Sequence, residues 1–414
     1  MSSSNADVNT PLFEKRICIL APRDASLDGR LLKEVDAFKN AGADVMVVYR
    51  GRAYYPELLR PDVRWVALMG QPDFVHPRLG APSVWRPIRI LVNLTFTKFK
   101  LWNYRMRKKR DDLTFFDAKA MRVIVDNNPD VIQANDVYTL ATGYEAAKCL
   151  DAKLVYNPYE LFEGYFNDLG MQAKADQIER KYAGMSDLIV AAWPGIKRSL
   201  QEENPEAEII VELNSLPNEK IEVHEVCHPI RLVSQGGIRR ITHDINLVKA
   251  MKYLQGKAHL TIQGKSADDE HLAEIKQYII KNKLEDCVDL TGSFESKESV
   301  RLLQGFDIGL SVFLPDTPSK DQTLSNRFFT YMNAGLAIVA SNTTGHREFP
   351  EINQFAILVD PASPKAIAEG ILSLLDNRHR IQKMRTSAKN EFEKYSWEIQ
   401  EKKLIEAYSS MFRE

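Results

Sequence analysis

The sequence predicts an α/β protein of two domains, each built on a parallel sheet. Short β-rich apolar runs alternate with helical patterns from Lys15 nearly to the last residue, which is the mark of βαβ units. The 414 residues are enough for two separate cores. A polar, Pro-bearing stretch from Pro217 to Pro229 divides them nearly in half and reads as a linker. The expected layout is a disordered tail over 1–14, a first domain over 15–216, the linker over 217–229, a second domain over 230–395 and a terminal helix over 396–414.

Composition narrows the class. With 44% hydrophobic and 27% charged residues the chain reads as globular and soluble. A formal net charge of −1 argues against a general nucleic-acid binder. Cys18, Cys149, Cys227 and Cys287 are scattered, with no pair at metal-ligand spacing, which fits reduced thiols in a cytoplasmic protein. The opening MSSSNADVNTPLFEKR has no apolar core segment, so it reads as neither signal peptide nor membrane span. No later run reaches the roughly 18 apolar residues a span needs.

The first strand is Arg16 to Ala21, followed by the loop PRDASLDGR and an amphipathic helix from about Leu31 to Ala41. Gly42 stops that helix, and DVMVVYRG begins the second strand. No GxGxxG follows the first strand, so the fingerprint of a dinucleotide oxidoreductase is missing. From Arg86 to Arg110 the chain carries nine Lys or Arg and no acid, interleaved with Phe96, Phe99, Trp102 and Tyr104. Three readings stay open: a segment laid on an anionic membrane surface, an amphipathic helix packed on the first domain, or a single-stranded nucleic-acid contact, which the α/β context disfavours.

Pro129 to Asp136 reads as a buried strand ending in the polar pair Asn135-Asp136, and VYTLATGYEAAKCL follows as a helix. AKLVYN is the next strand, with PYELFEG at its carboxyl end. Ligands of open α/β sheets bind beyond the carboxyl ends of the strands, which places Asn135, Asp136, Tyr159 and Glu160 beside a binding crevice. Ser186 to Ala192 and EIIVELN over 208–214 complete the first sheet.

The second half opens with IRLVSQGGIRR. A strand entering Gly236-Gly237 lets backbone approach a ligand closely, and Arg239 and Arg240 are cations that can bind phosphate. The alternative is a tight turn with two exposed arginines. HLTIQG ends in Gln263-Gly264-Lys265, and CVDLTGSF ends in Phe294. After FDIGLSVF a long polar loop, LPDTPSKDQTLS, suits a mobile substrate loop. The stretch QTLSNRFFTYMNAGLAIVASNTTG then reads as loop, helix, glycine stop and buried strand, with Leu324, Ser325 and Asn326 at the start of the helix. Its first N–H groups carry partial positive charge and suit a diphosphate, although a capped helix in an ordinary αβ unit has the same pattern.

LSNRFFTYMNAGLAIVAS resembles the C-terminal domain of family-four glycosyltransferases, bacterial-type nucleotide-sugar-dependent enzymes whose pattern here reads Leu-Pro-Asn-Lys-Phe-Phe-Glu-Tyr-Met-Ala-Ala-Gly-Leu-Pro-Val-Val-Ala-Ser. Asn326, Phe328, Phe329, Tyr331, Met332, Gly335 and Ser341 fall into register, whereas Thr330 replaces the glutamate that accepts hydrogen bonds from the ribose. Asp28-x-Arg30 is similar to an Asp-x-Arg of the same family, with a capping Asp and a solvated Arg as the alternative. Asp136, Val155, Tyr156 and Glu160 match its pattern around the first-domain strands, while Asn157 replaces an Asp and Tyr159 replaces a sugar-contacting His. The alternative for Glu160 is an acid near the following helix N-terminus. Of the two glutamates with seven residues between them in many members, neither is present: Gln322 and Thr330 stand there.

The resemblance implies the GT-B fold, two Rossmann-like domains with parallel sheets facing a central cleft, and a terminal helix that crosses back to the first domain. It implies transfer of a sugar from a nucleotide diphosphate sugar to an acceptor hydroxyl, with retention, without a metal, in cell-surface glycan or polysaccharide synthesis. The charge of the leaving diphosphate would fall to Arg239, Arg240 and Arg327. The donor would lie against Gly236, Gly237, Gln263, Gly264, Lys265, Phe294, Leu324, Ser325, Asn326 and Thr330. Asp28, Arg30, Asn135, Asp136, Tyr159 and Glu160 would face acceptor or sugar. No cofactor is expected beyond the donor, a UDP-sugar or GDP-sugar, and the acceptor would be a glycan or lipid-linked molecule met at the inner face of the membrane through residues 86–110. Thr330 and Tyr159 support a rival, a GT-B chain without donor chemistry that acts as partner or scaffold of another glycosyltransferase. A sugar-nucleotide epimerase on the same fold is a third reading.

Overall fold

The computed structural model describes residues 10–68, 118–162, 165, 169–240, 244–266 and 268–413. The basic segment 86–110 lies outside these residues. The chain divides into two compact units, residues 1–212 with 401–414 and residues 213–400.

The first unit is a seven-stranded, all-parallel sheet in the order β3-β2-β1-β4-β5-β6-β7. Its strands are Arg16–Ala21 (β1), Asp44–Tyr49 (β2), Arg64–Ala67 (β3), Val131–Asn135 (β4), Lys153–Asn157 (β5), Leu188–Ala191 (β6) and Ile209–Val211 (β7). Parallel strands are buried on both faces, which is why they read as unbroken apolar runs. β1 pairs with β2 from Arg16 opposite Asp44, and with β4 from Ile17 opposite Val131. The helix Gly29–Asn40 is capped by Asp28, whose Oδ1 accepts from the Leu31 N–H at 3.1 Å, so it starts two residues before the expected Leu31. Its stripe Leu31, Val35 and Phe38 packs on Ile17, Ile19, Val45 and Val47. Leu404 and Tyr408, from the helix Trp397–Ser410, join the same core, with Phe38 and Tyr408 ring centroids 4.6 Å apart. Burying each such side chain contributes about 1.5–3 kcal/mol.

Two expectations for this unit change. Residues 11–14 form a turn rather than a tail: Leu12 is fully buried and its N–H donates to the Ala41 carbonyl at 3.0 Å. The last strand is shorter than 208–214, because Glu212 leaves the strand pattern and turns its side chain inward onto Arg30.

The second unit has six parallel strands in the order β10-β9-β8-β11-β12-β13. They are Ile230–Gln235 (β8), Ala258–Gln263 (β9), Val288–Leu290 (β10), Ile308–Ser311 (β11), Ala337–Ser341 (β12) and Ala356–Val359 (β13). Leu232, Leu260, Leu310 and Val339 pack against Leu247 and Met251 of the helix Asp244–Leu254 and Ile367 and Ile371 of the helix Pro364–Leu375. The expected linker 217–229 has no helix or strand but is strapped to this unit. Asn333 binds the Pro217 carbonyl at 2.8 Å and the Glu219 N–H at 3.1 Å, and Lys389 Nζ donates to the Glu219 carbonyl at 2.5 Å. The long polar loop contains a short helix, Pro318–Gln322. Asp321 on it accepts from Thr344 through both N–H (3.1 Å) and Oγ1 (2.6 Å), which pins the loop expected to be mobile.

Candidate functional site

In the second unit, residues from four loops meet beyond the carboxyl ends of β8, β9 and β11. β8 ends at Gln235, and the Gly236 N–H donates to the Gln263 carbonyl at 2.8 Å. Gly236 has φ +140°. A Cβ on Gly264 would sit 1.6 Å from the Gly236 carbonyl oxygen, so only glycine lets the two turns touch. Tyr331 holds the helix Asn326–Asn333 beneath them: its hydroxyl accepts from the Gln235 N–H at 2.8 Å. Its ring lies so close under Gly309 that a Cβ there would fall 2.4 Å from it.

Arg327, in the first turn of that helix, donates through Nη1 to Ser234 Oγ at 3.2 Å. Its Nη2 lies 3.0 Å from where a Cβ of Gly236 would be, so the absent side chain leaves room for the guanidinium under the turn. Arg239 Nε is 3.3 Å from the corresponding Cβ position of Gly237. Arg240 goes elsewhere, pairing with Glu274 at 3.1 Å and Asp268 at 3.6 Å. Its expected role in holding the donor's diphosphate therefore competes with two surface acids. Ser325 is the N-cap residue, yet its side chain makes no capping bond and lies 2.9 Å from Ser311 Oγ. Asn326 Oδ1 accepts from Asn214 Nδ2 at 3.2 Å. Gln263 accepts from Gln235 Nε2 at 3.3 Å, while Leu324 and Phe294 are half-buried and Lys265 is exposed. Thr330 turns its hydroxyl into its own helix, donating to the Asn326 carbonyl at 2.9 Å.

The first unit gathers a second set in two layers. The inner layer is buried. Arg30 donates to Glu34 at 2.9 Å, to Asn157 at 3.2 Å and to Glu212, and its guanidinium lies 4.7 Å from the centre of the Tyr159 ring. Asn135 Nδ2 donates to the Tyr159 hydroxyl at 2.8 Å, and Gln133 Nε2 donates to Asn135 at 2.8 Å and to Glu34 at 2.7 Å. Burial pulls the Arg30 pKa down, but Glu212 and Glu34 more than offset it and hold the guanidinium charged. Burial pushes Glu212 up to about 7, with Arg30 opposing the shift. Arg30, Asn135 and Tyr159 are thus bound to one another rather than turned outward, and Arg30 is not the solvated arginine weighed above.

The outer layer holds Asp28, Asp136 and Glu160. Asp136 has φ +61° and ψ 163°, a conformation costing a non-glycine residue about 1–3 kcal/mol. It heads the helix Val137–Leu150 without capping it, because Oδ1 accepts from the Tyr159 N–H at 2.9 Å. Oδ2 lies 3.7 Å from Arg23, a residue that the sequence did not single out. Burial pushes Asp136 up to about 6. Glu34 and Glu212 were missed as well, although a lone acid in LLKEVDAF or EIIVELN is the signal of a buried charge needing a partner.

His224, Cys227 and Asp307 bring possible ligand atoms within 4.8 Å of one another, the one such group among the described residues. Arg385 already occupies it: Nη1 donates to Asp307 at 3.2 Å and Nη2 meets His224 Nε2 at 3.2 Å. Asp307 also accepts from the Cys227 N–H at 3.1 Å and the Arg231 N–H at 2.9 Å, so the group works as a buried structural ion pair.

Residues 231–377 match the family model described as glycosyl transferases group 1. No curated protein sequence matches the chain. Among solved structures, a glycosyltransferase from Rickettsia africae shares 16% identity over 97% of this chain and 99% of its own, with a TM-score of 0.67. Anabaena HepE in complex with UDP and glucose shares 13% over 96% and 100%, with a TM-score of 0.68. Sucrose-phosphate synthase from Thermosynechococcus elongatus shares 14% over 96% and 99%, with a TM-score of 0.70.

Proposed function

We propose, from the premise that residues 231–377 are a group 1 glycosyltransferase domain in a chain of GT-B fold, that the protein moves a glycosyl group from a nucleotide diphosphate sugar to an acceptor hydroxyl. The observation that carries this is Arg327. Its half-buried guanidinium is held under the Gly236 turn by Ser234, and among the described residues no acid is paired with it.

As the bond between the anomeric carbon and the diphosphate breaks, negative charge grows on the leaving oxygens. Arg327, Arg239 and the first N–H groups of the helix Asn326–Asn333 would meet it, with no metal needed. The donor is a UDP-sugar or GDP-sugar, and HepE with UDP and glucose supports the former. Transfer with retention, and an acceptor in cell-surface glycan synthesis at the inner face of the membrane, complete the reading. The membrane part rests on the basic, aromatic stretch 86–110.

One observation favours the rival, a scaffold without donor chemistry: the Thr330 hydroxyl is spent on its own helix and offers the ribose nothing like a carboxylate. A thermal-shift titration with UDP, GDP, ADP, CMP and dTDP separates the two. A ligand at one hundred times its Kd adds about 2.7 kcal/mol of stability, so one nucleotide should shift the midpoint selectively. No shift with any of the five would favour the scaffold.

A further inference from the structure

The helix Asn326–Asn333 carries Arg327 in its first turn, where the proposed function puts the donor's diphosphate. Its N-cap residue, Ser325, has φ −66° and ψ 145°, the extended backbone from which a serine hydroxyl ordinarily accepts from the N–H two or three residues on. Here it makes no such bond. Ser311, fully buried at the end of β11, takes the hydroxyl instead, with 2.9 Å between the two Oγ atoms. Among the described residues the Asn326 and Arg327 N–H groups are left without an acceptor, while the Phe328 N–H donates to the Ser325 carbonyl at 2.9 Å.

The loop between the two serines is tied down, which keeps Ser325 within reach of both partners. Ser341 Oγ accepts from the Phe313 N–H at 2.8 Å and donates to the Phe313 carbonyl at 2.7 Å. Further along, Asp321 holds Thr344, and a Cβ on Gly345 would fall 2.4 Å from the Gln322 carbonyl oxygen and 2.7 Å from that of Thr323. The family-four pattern that LSNRFFTYMNAGLAIVAS resembles has proline where Ser325 stands. Proline fits the same φ and has no group that can cap. Ser325 has one, and on its own helix it would compete with a phosphate oxygen for the N–H groups beside Arg327.

We propose that Ser311 is a positioning residue for the donor: by holding the Ser325 hydroxyl it keeps the first turn of this helix, with Arg327, open to the diphosphate. The proposal deepens the glycosyl-transfer reading and rests on it. Calorimetric titrations of the full chain with UDP and GDP are to compare the parent, Ser311→Ala, Ser325→Ala and the double variant. Ser311→Ala frees the Ser325 hydroxyl to cap its helix. The nucleotide that binds the parent should then bind about fivefold more weakly, about 1 kcal/mol at 1.4 kcal/mol per tenfold, the usual worth of a cap. Once Ser325 has lost its hydroxyl there is nothing to hold, so going from Ser325→Ala to the double variant should change affinity less than twofold. A Ser311 that served only the packing of β11 would cost the same in both backgrounds. Amide exchange at Arg327 or Phe328, followed by NMR without nucleotide, should slow in Ser311→Ala and not in the double variant. Ser311→Ala leaves the backbone pairing of β11 with Ala340 in place, which circular dichroism verifies.

The proposal fails if Ser311→Ala binds nucleotide within twofold of the parent, if the loss is equal in both backgrounds, or if neither amide slows. Binding by the parent that Ser311→Ala leaves unchanged sinks this inference alone and leaves the donor reading standing. No nucleotide binding by the parent sinks the donor reading, and this inference with it.

Discussion

Replacing Arg327 by glutamine tests the donor reading at the residue that carries it. Among the described residues its side chain makes one hydrogen bond, Nη1 to Ser234 Oγ at 3.2 Å, a part-buried bond to a neutral hydroxyl. Such a bond contributes about 0.5–1.5 kcal/mol, and up to twice that when the donor is charged. For a domain of this size the thermal midpoint then falls by roughly 2–4 °C per kcal/mol. Its contact with a diphosphate would instead be a charge-assisted bond in a sheltered turn, worth about 1.5–3 kcal/mol, or about tenfold to over a hundredfold in Kd. Calorimetric titration of parent and Arg327→Gln with UDP and GDP at fixed ionic strength reads both quantities against the thermal midpoint. The expected result is a small shift in midpoint and at least a tenfold loss of affinity. Affinity within a factor of two of the parent would refute the placement of the diphosphate beside Arg327.

Three other outcomes are expected. Thr330→Glu should tighten nucleotide binding about tenfold, measured by the same titration; no gain would mean that the ribose is held by other groups. Tyr331→Phe leaves the buried Gln235 N–H without its acceptor and should cost about 1–3 kcal/mol in urea unfolding. Asp136 is raised from 3.8 to about 6, chiefly by burial, so the folded chain binds its proton more tightly than the unfolded chain does. The resulting stability is fully present below pH 3.8 and is lost as pH rises through about 6. Asp136→Asn removes that dependence and should be more stable than the parent at pH 7 by up to about 3 kcal/mol, two units at 1.36 kcal/mol each. The gap should close at pH 4, as read from denaturation curves across the range.

Much of the fold was legible because parallel strands are buried on both faces and so leave continuous apolar runs, as in Arg16–Ala21 and Ala337–Ser341. The helix Val137–Leu150 was read to the residue. The helix Pro318–Gln322 was not, because five residues have no periodicity to show: it exists through Thr317 Oγ1 accepting from the Lys320 N–H and Asp321 accepting from Thr344. In the candidate site, Gly236 and Gly264 were legible as glycines, whereas the partners of Arg30 and Arg240 were not.

The sequence by itself determined the alternation of strands and helices, the division into two sheets, and the positions where only glycine permits close approach, since each depends on residues near one another in the chain. Only the tertiary structure decided which charges are spent on the protein's own groups. Arg30 meets Glu212 across 182 residues, Arg240 meets Glu274 across 34, and Arg327 meets Ser234 across 93. Local propensity carries no information about such pairs. An arginine buried against a carboxylate and one left to face a ligand look the same in sequence, and they differ only in what the fold brings within about 3 Å, where a hydrogen bond forms.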